Sequence, residues 1–223
     1  MRLMLLAIVL FLLASPAFAQ IAVSVNDNKV MLDNGTVKVV PNAPPDTLSV
    51  IDLKSTPPRV VSEIPVPGSV VGPPFSVAIT PDEGLALVTA AMKVDPSDPT
   101  KQVADNRLSV VDLRANPPQV IATLEAGKGA AGVSINRQGN LALVANRSEG
   151  TVSVYSIHGR TVTPAGKLTL GDEKTGVSHA AITPDGKMAL VSRDTPPVCA
   201  SRRHRSPTRS AESVCGDSSC LLR

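Results

Sequence analysis

The chain has 223 residues, a net charge of +3 and three cysteines. Beyond residue 194, arginines 202, 203, 205, 209 and 223 face only Glu212 and Asp217, so the whole excess charge sits in that tail and the body is neutral. A neutral body carries no basic stripe of the kind that counterion-release binding to nucleic acid requires, and with Cys199, Cys215 and Cys220 all in the tail, no disulfide framework staples the body.

Residues 1–19 read as a secretory signal peptide. Arg2 supplies the positive start, Leu3 to Leu13 form an apolar run, and Ala17-Phe18-Ala19 is a small-x-small cleavage site that leaves Gln20 first. An apolar run of about eleven residues is far short of the roughly twenty that span a bilayer. The expected location is therefore periplasmic or extracellular, with no membrane span. Past residue 19 the aromatic residues are Phe75 and Tyr155 alone, so Val, Leu, Ile and Ala must fill the core.

Short alternating runs follow, each with the period-two pattern of a strand. They are Ile21–Asn26, Thr47–Leu53, Phe75–Thr80, Leu85–Ala90, Leu108–Leu113 and Val120–Glu125, then Gly132–Asn136, Leu141–Asn146, Val152–Ile157, Val162–Leu170, Ser178–Thr183 and Met188–Arg193. Pro81-Asp82-Glu83-Gly84, Arg137-Gln138-Gly139-Asn140 and Pro184-Asp185-Gly186 supply tight turns. Thr56-Pro57-Pro58 and Asn116-Pro117-Pro118 block helical continuation. Met92 to Asn106, with two Asp-Pro dipeptides, reads as a surface loop inserted into one repeat. No segment of the body predicts a helix.

The runs repeat as a unit. Leu85-Ala-Leu-Val88 returns as Leu141-Ala-Leu-Val144 and as Met188-Ala-Leu-Val191, and Leu48-Ser-Val50 returns as Leu108-Ser-Val110 and Val152-Ser-Val154. Four short strands per unit at a spacing of about 45 residues predict an all-β β-propeller of four-stranded antiparallel blades. About three blades plus two strands are present over residues 20–194, an incomplete ring. The strand before each Pro-Asp-Gly turn is expected innermost, at 75–80, 132–136 and 178–183. The second strands then fall at 21–26, 85–90, 141–146 and 188–193.

The order of Leu143-Val-Ala-Asn146, Thr151-Val-Ser-Val-Tyr-Ser-Ile157, a Val-rich strand and an Ile-Thr-Pro-Asp-Gly turn resembles the YVTN-repeat family of bacterial β-propellers, relatives of lactonase-like and quinoprotein-dehydrogenase-like propellers. Ser49-Val-Ile-Asp52 and Ser109-Val-Val-Asp112 match the second signature, and Tyr155-Ser156 departs from it. The resemblance covers residues 21–193 and implies fold, since such propellers host unrelated functions. It implies a ring whose central channel takes a small molecule or a protein.

From Thr195 the alternation stops, and Arg, Ser, Pro, Ala and Cys dominate. Residues 195–223 are expected to be a disordered tail, read as an out-of-frame product. A chain ending its blades there is expected to be an inactive fragment whose open strand edges favour aggregation.

No catalytic, cofactor or metal motif stands out. The tail's Cys199, His204, Cys215 and Cys220 lack metal-site spacing, and no Gly-x-Ser-x-Gly elbow occurs. Asn34 and Asn146 head glycosylation-like triplets that carry no weight in a bacterial-looking chain. Asp52, Asp112, Asp82 and Asp185 recur at fixed blade positions, which fits carboxylates bonding turn backbone. His158 reads as a solvated hairpin residue. His179 begins an inner strand and is the binding candidate at the channel mouth, because its counterparts, Ser76 and Val133 or Ser134, are not histidines. The function expected is an exported, non-catalytic scaffold for binding or interaction, with a lactonase-like hydrolase or the propeller subunit of a quinoprotein-type dehydrogenase as the alternative.

Overall fold

The computed structural model describes residues 20–69 and 75–194, together with the strand backbone of 213–216 and 219–222. The signal peptide expected at 1–19 lies outside them. Within them the protein is all-β, a β-propeller with an incomplete ring, and among the described residues no helix is long and apolar enough to cross a membrane.

Blade 1 is a three-stranded sheet of β1 (Ile21–Asn26), β4 (Thr47–Asp52) and β5 (Arg59–Pro65), in that order. Blade 2 runs β6 (Val77–Ile79), β7 (Leu85–Asp95), β8 (Asp98–Asp112) and β9 (Gln119–Glu125). Blade 3 runs β10 (Ala130–Ile135), β11 (Leu141–Asn146), β12 (Thr151–His158) and β13 (Thr161–Thr169). Blade 4 starts with β14 (Val177–Ile182) and β15 (Ala189–Arg193). The strands expected innermost stand at one edge of blades 2 to 4, and β1 takes the place of a second strand, as its sequence predicts.

Three elements differ from expectation. Met92 to Asn106 is no loop: β7 and β8 extend through it as one long hairpin that turns at Pro96-Ser97. The Asp-Pro dipeptides do not break it, because Asp95 accepts from the Ser97 N–H at 2.8 Å and Asp98 from the Thr100 N–H at 3.0 Å, which turns the chain and restarts the strand. A second hairpin, β2 (Val30–Asp33) with β3 (Thr36–Val39), interrupts blade 1 at the same place, between second and third strands. Finally, β17 (Ser219–Leu222) pairs with β15, and β16 (Ser213–Gly216) pairs with β17, which sets Cys215 opposite Cys220. The edge of β15 has backbone groups to offer, β17 accepts it, and β16 in turn pairs with β17. Residues 195–212 lie outside the described residues, and with them the expectation of disorder there.

The core explains the repeated phrase. In β7, Ala86 and Val88 pack against Leu48, Val50 and Ile64 of blade 1, while Leu85 and Leu87 join Ala130, Ala142, Val144 and Tyr155 of blade 3. In β11, Ala142 and Val144 again face backward, while Leu143 and Ala145 pack forward on Val177, Ala189 and Val191 of blade 4. β7 and β11 are thus buried on both faces and read as continuous apolar runs. In β7 the smaller Ala86 and Val88 face the preceding blade and the bulkier Leu85 and Leu87 the following one. Leu190 holds the forward position in β15 and is half exposed. Tyr155 fastens blade 3 to blade 2: its hydroxyl donates to the Glu125 carbonyl at 2.7 Å, and burial pushes the phenol up to about 12.

Candidate functional site

The inner wall is built from β6, β10 and β14 side by side. The Val133 N–H donates to the Phe75 carbonyl at 2.9 Å, and the Ser134 hydroxyl reaches the Ala180 carbonyl, so neighbouring blades are bonded at their inner edges. The Thr89 hydroxyl, behind them, meets the Ala131 carbonyl. A β-bulge lies at the same place in β10 and β14, between Ala130 and Val133 and between Val177 and His179. Bulges re-aim side chains.

That bulge determines what His179 touches. Ala180 pairs with Val191 as Val133 pairs with Val144, so the counterpart of His179 in blade 3 is Gly132 rather than Val133 or Ser134. In blade 2 it is Ser76, as read from the sequence, since Val77 pairs with Val88. The imidazole passes over Gly132, where a Cβ would lie 2.5 Å from Nδ1. It then stacks on Phe75, with ring centroids 4.4 Å apart and planes at 25°. One side chain of blade 4 therefore touches two other blades. Its Nδ1 is buried with no hydrogen-bond partner.

Burial alone pulls the His179 imidazole below its ordinary value. The unfolded chain then takes up a proton first, so this contribution to stability is complete above the unfolded value near 6.5 and is lost as pH falls through the lower folded value. Denaturant melts of the wild type are expected to weaken across that window. His179→Gln should remove that part of the pH dependence, and an unchanged profile would show that His179 is not its source.

Beside this wall, Arg147 donates from Nη1 to the Ser178 hydroxyl at 2.5 Å and pairs through Nη2 with Asp194. Ser178 also donates to Asp194 Oδ1 at 3.2 Å. Arg193, next to Asp194, is buried. Among the described residues no group of three or more His, Cys, Asp or Glu side chains is arranged to hold a metal ion.

The recurring aspartates do what their spacing predicts. Asp52 and Asp112 accept from the Lys54 and Arg114 N–H groups at 2.9 and 3.0 Å, and Asp82 and Asp185 from Gly84 and Lys187, both at 3.1 Å. A charged notch of about 320 Å³ opens where Arg160 of blade 3 reaches buried Asp112 of blade 2, with Asp82 and Arg114 on its rim. A groove of about 540 Å³ lies between the two inserted hairpins, lined by Val40, Pro41, Pro44, Pro45, Val94 and Pro99. His158 is exposed at its hairpin, as expected.

Sequence reasoning missed two residues here. Gly132 was read only as the start of a strand, and Arg193 only as the end of one. Alignment of the Arg193 column with Asn146 is the signal that singles it out, since the other blades place neutral residues there.

No family model and no curated protein matches this sequence. Solved structures do. Hydrazine synthase from Kuenenia stuttgartiensis matches over 82% of this chain and 45% of its own, at 20% identity and a TM-score of 0.51. A protein from Bacteroides uniformis described as a 6-phosphogluconolactonase matches over 78% and 61%, at 16% identity and a TM-score of 0.49. The periplasmic gluconolactonase of Pseudomonas aeruginosa matches over 73% and 48%, at 16% identity and the same TM-score of 0.49. The chain spans about half the length of these structures. At such identities the likeness is one of fold, the β-propeller.

Proposed function

We propose that this chain is part of an exported β-propeller of the YVTN-repeat type, a non-catalytic scaffold that binds a small molecule or a protein at its inner wall. His179 is the contact residue. The observation that carries this reading is the environment of that imidazole, which lies on the inner wall with a buried, unpartnered Nδ1 and one face on Phe75. A histidine used as a general base has its second nitrogen oriented by a carboxylate or carbonyl. His179 has no such partner on Nδ1, and burial keeps it neutral, which suits a contact group better than a base. Export is supported by Arg2, the apolar run and Ala17-Phe18-Ala19.

Two measurements test the reading. Residues 1–19 fused to a reporter that folds only outside the cytoplasm should deliver it there. Thermal-shift screening of the full chain against a panel of small metabolites should find a ligand whose shift is lost in His179→Ala, with no turnover of lactones and no dye reduction. Lactone ring opening by the wild type, seen as proton release, would replace the scaffold by a lactonase-like hydrolase. Dye reduction with a quinone cofactor would favour the dehydrogenase subunit.

A further inference from the structure

The seam between blades 3 and 4 buries a cation that pairs with no acid among the described residues. Arg193 ends β15 on the face that carries Ala189 and Val191, so its side chain runs into the seam with blade 3. It is 8% exposed, and its Nε and Nη2 are buried with no hydrogen-bond partner. Arg59, Arg107, Arg114, Arg147 and Arg160 each face an aspartate. The nearest acid in sequence, Asp194, has one oxygen on Arg147 and the other on Ser178.

The repeat sharpens the anomaly. Arg193 pairs with Val177 as Asn146 pairs with Ala130, so the two occupy one column. Asn146 is satisfied within the protein, accepting from the Gly127 N–H and donating to Thr151 and Ser153. Arginine is longer, carries a fixed charge and accepts nothing, so it cannot stand in that network. The nitrogens that are both buried and unpartnered are Nε and Nη2, which form one edge of the guanidinium. That edge is the fork that binds a carboxylate through two parallel hydrogen bonds.

We propose that Arg193 anchors an anion site in this seam, taking the carboxylate of a small ligand side-on through Nε and Nη2. The site is independent of the role given to His179. A buried guanidinium is costly without a counter-charge, and an incoming carboxylate removes that cost. A carboxylate could also come from the chain itself, from Glu212 or Asp217. The same chemistry would then be a fold contact.

Thermal melts of the full chain in sodium acetate or sodium succinate, against sodium chloride at equal ionic strength, distinguish these cases. The wild type is expected to gain about 4 °C in Tm from the carboxylates, the shift of a small domain that binds a ligand well above its dissociation constant. Arg193→Met should lose that gain, yet melt no lower than the wild type in chloride, because an unpaired charge has gone. Arg193→Lys, which keeps the charge and loses the fork, should also lose it. Glu212→Gln and Asp217→Asn should retain it. The proposal is overturned if the wild type shows no carboxylate-specific gain, if either Arg193 variant keeps it, or if Arg193→Met melts well below the wild type in chloride. It is equally overturned if Glu212→Gln or Asp217→Asn abolishes the gain.

Discussion

Asn146→Ala is expected to destabilise the protein by about 3 kcal/mol, read as a shift in denaturant midpoint at unchanged slope. The side chain is fully buried and makes three hydrogen bonds of 2.9 Å, from the Gly127 N–H and to the hydroxyls of Thr151 and Ser153. Thr151 keeps a contact with Glu149, but the Gly127 N–H and the Ser153 hydroxyl lose these bonds inside the fold. A buried polar group without a partner costs about 1–3 kcal/mol, and the effects within one network do not simply add. Two natural controls exist. Asn26 makes the same pair of bonds to Thr47 and Ser49 in blade 1, where it is only partly buried, so Asn26→Ala should cost about 1 kcal/mol. In blade 2 the column holds Ala90, and the Ser109 hydroxyl there is indeed buried and unpartnered. If Asn146→Ala costs no more than Asn26→Ala, the network is not what holds blade 3 in place.

Gly132→Ala is the second large effect. The added Cβ would lie 2.5 Å from His179 Nδ1, 2.6 Å from the Ser178 carbonyl oxygen and 2.9 Å from the His179 Cα. Two of these atoms belong to backbone, so turning the imidazole away cannot relieve the crowding, and β10 and β14 must separate. Overpacking of this kind costs about 1–3 kcal/mol, and we expect the upper half of that range. The same movement should pull the imidazole off Phe75, which an NMR titration would register as a rise of the His179 pKa toward its ordinary value. A variant as stable as the wild type with an unmoved titration would mean that the strands have slack the packing does not reveal.

Much of this architecture was legible because its cause is local. The unbroken apolar runs Leu85-Ala-Leu-Val88 and Leu141-Ala-Leu-Val144 mark strands that are buried on both faces, and the glycine-containing turns mark the reversals. Aspartates 52, 82, 112 and 185 were readable for the same reason, since each bonds backbone two residues away. Errors arose where a local signal was overridden or overlooked. The Asp-Pro pairs at 95 and 98 suggested a loop, yet two successive strands continue through them. Asn34-Gly35, with both residues at positive φ, is a strong hairpin signal that was passed over as a chance triplet. The surroundings of His179 could not be read at all. Its contact with Gly132 depends on a bulge that shifts the pairing by one residue, and its contact with Phe75 on the packing of three blades.

The difference in bulk between the two faces of each second strand gives a blade a front and a back. Ala86 and Val88 meet the bulky Leu48 and Ile64 of the blade behind, while Leu143 meets the smaller Ala180, Ala189 and Val191 of the blade ahead. Such units stack in one direction, like cups, and a blade inserted backward would set Leu against Leu on one side and Ala against Ala on the other. Duplicating a blade in frame therefore adds a unit that already fits both neighbours.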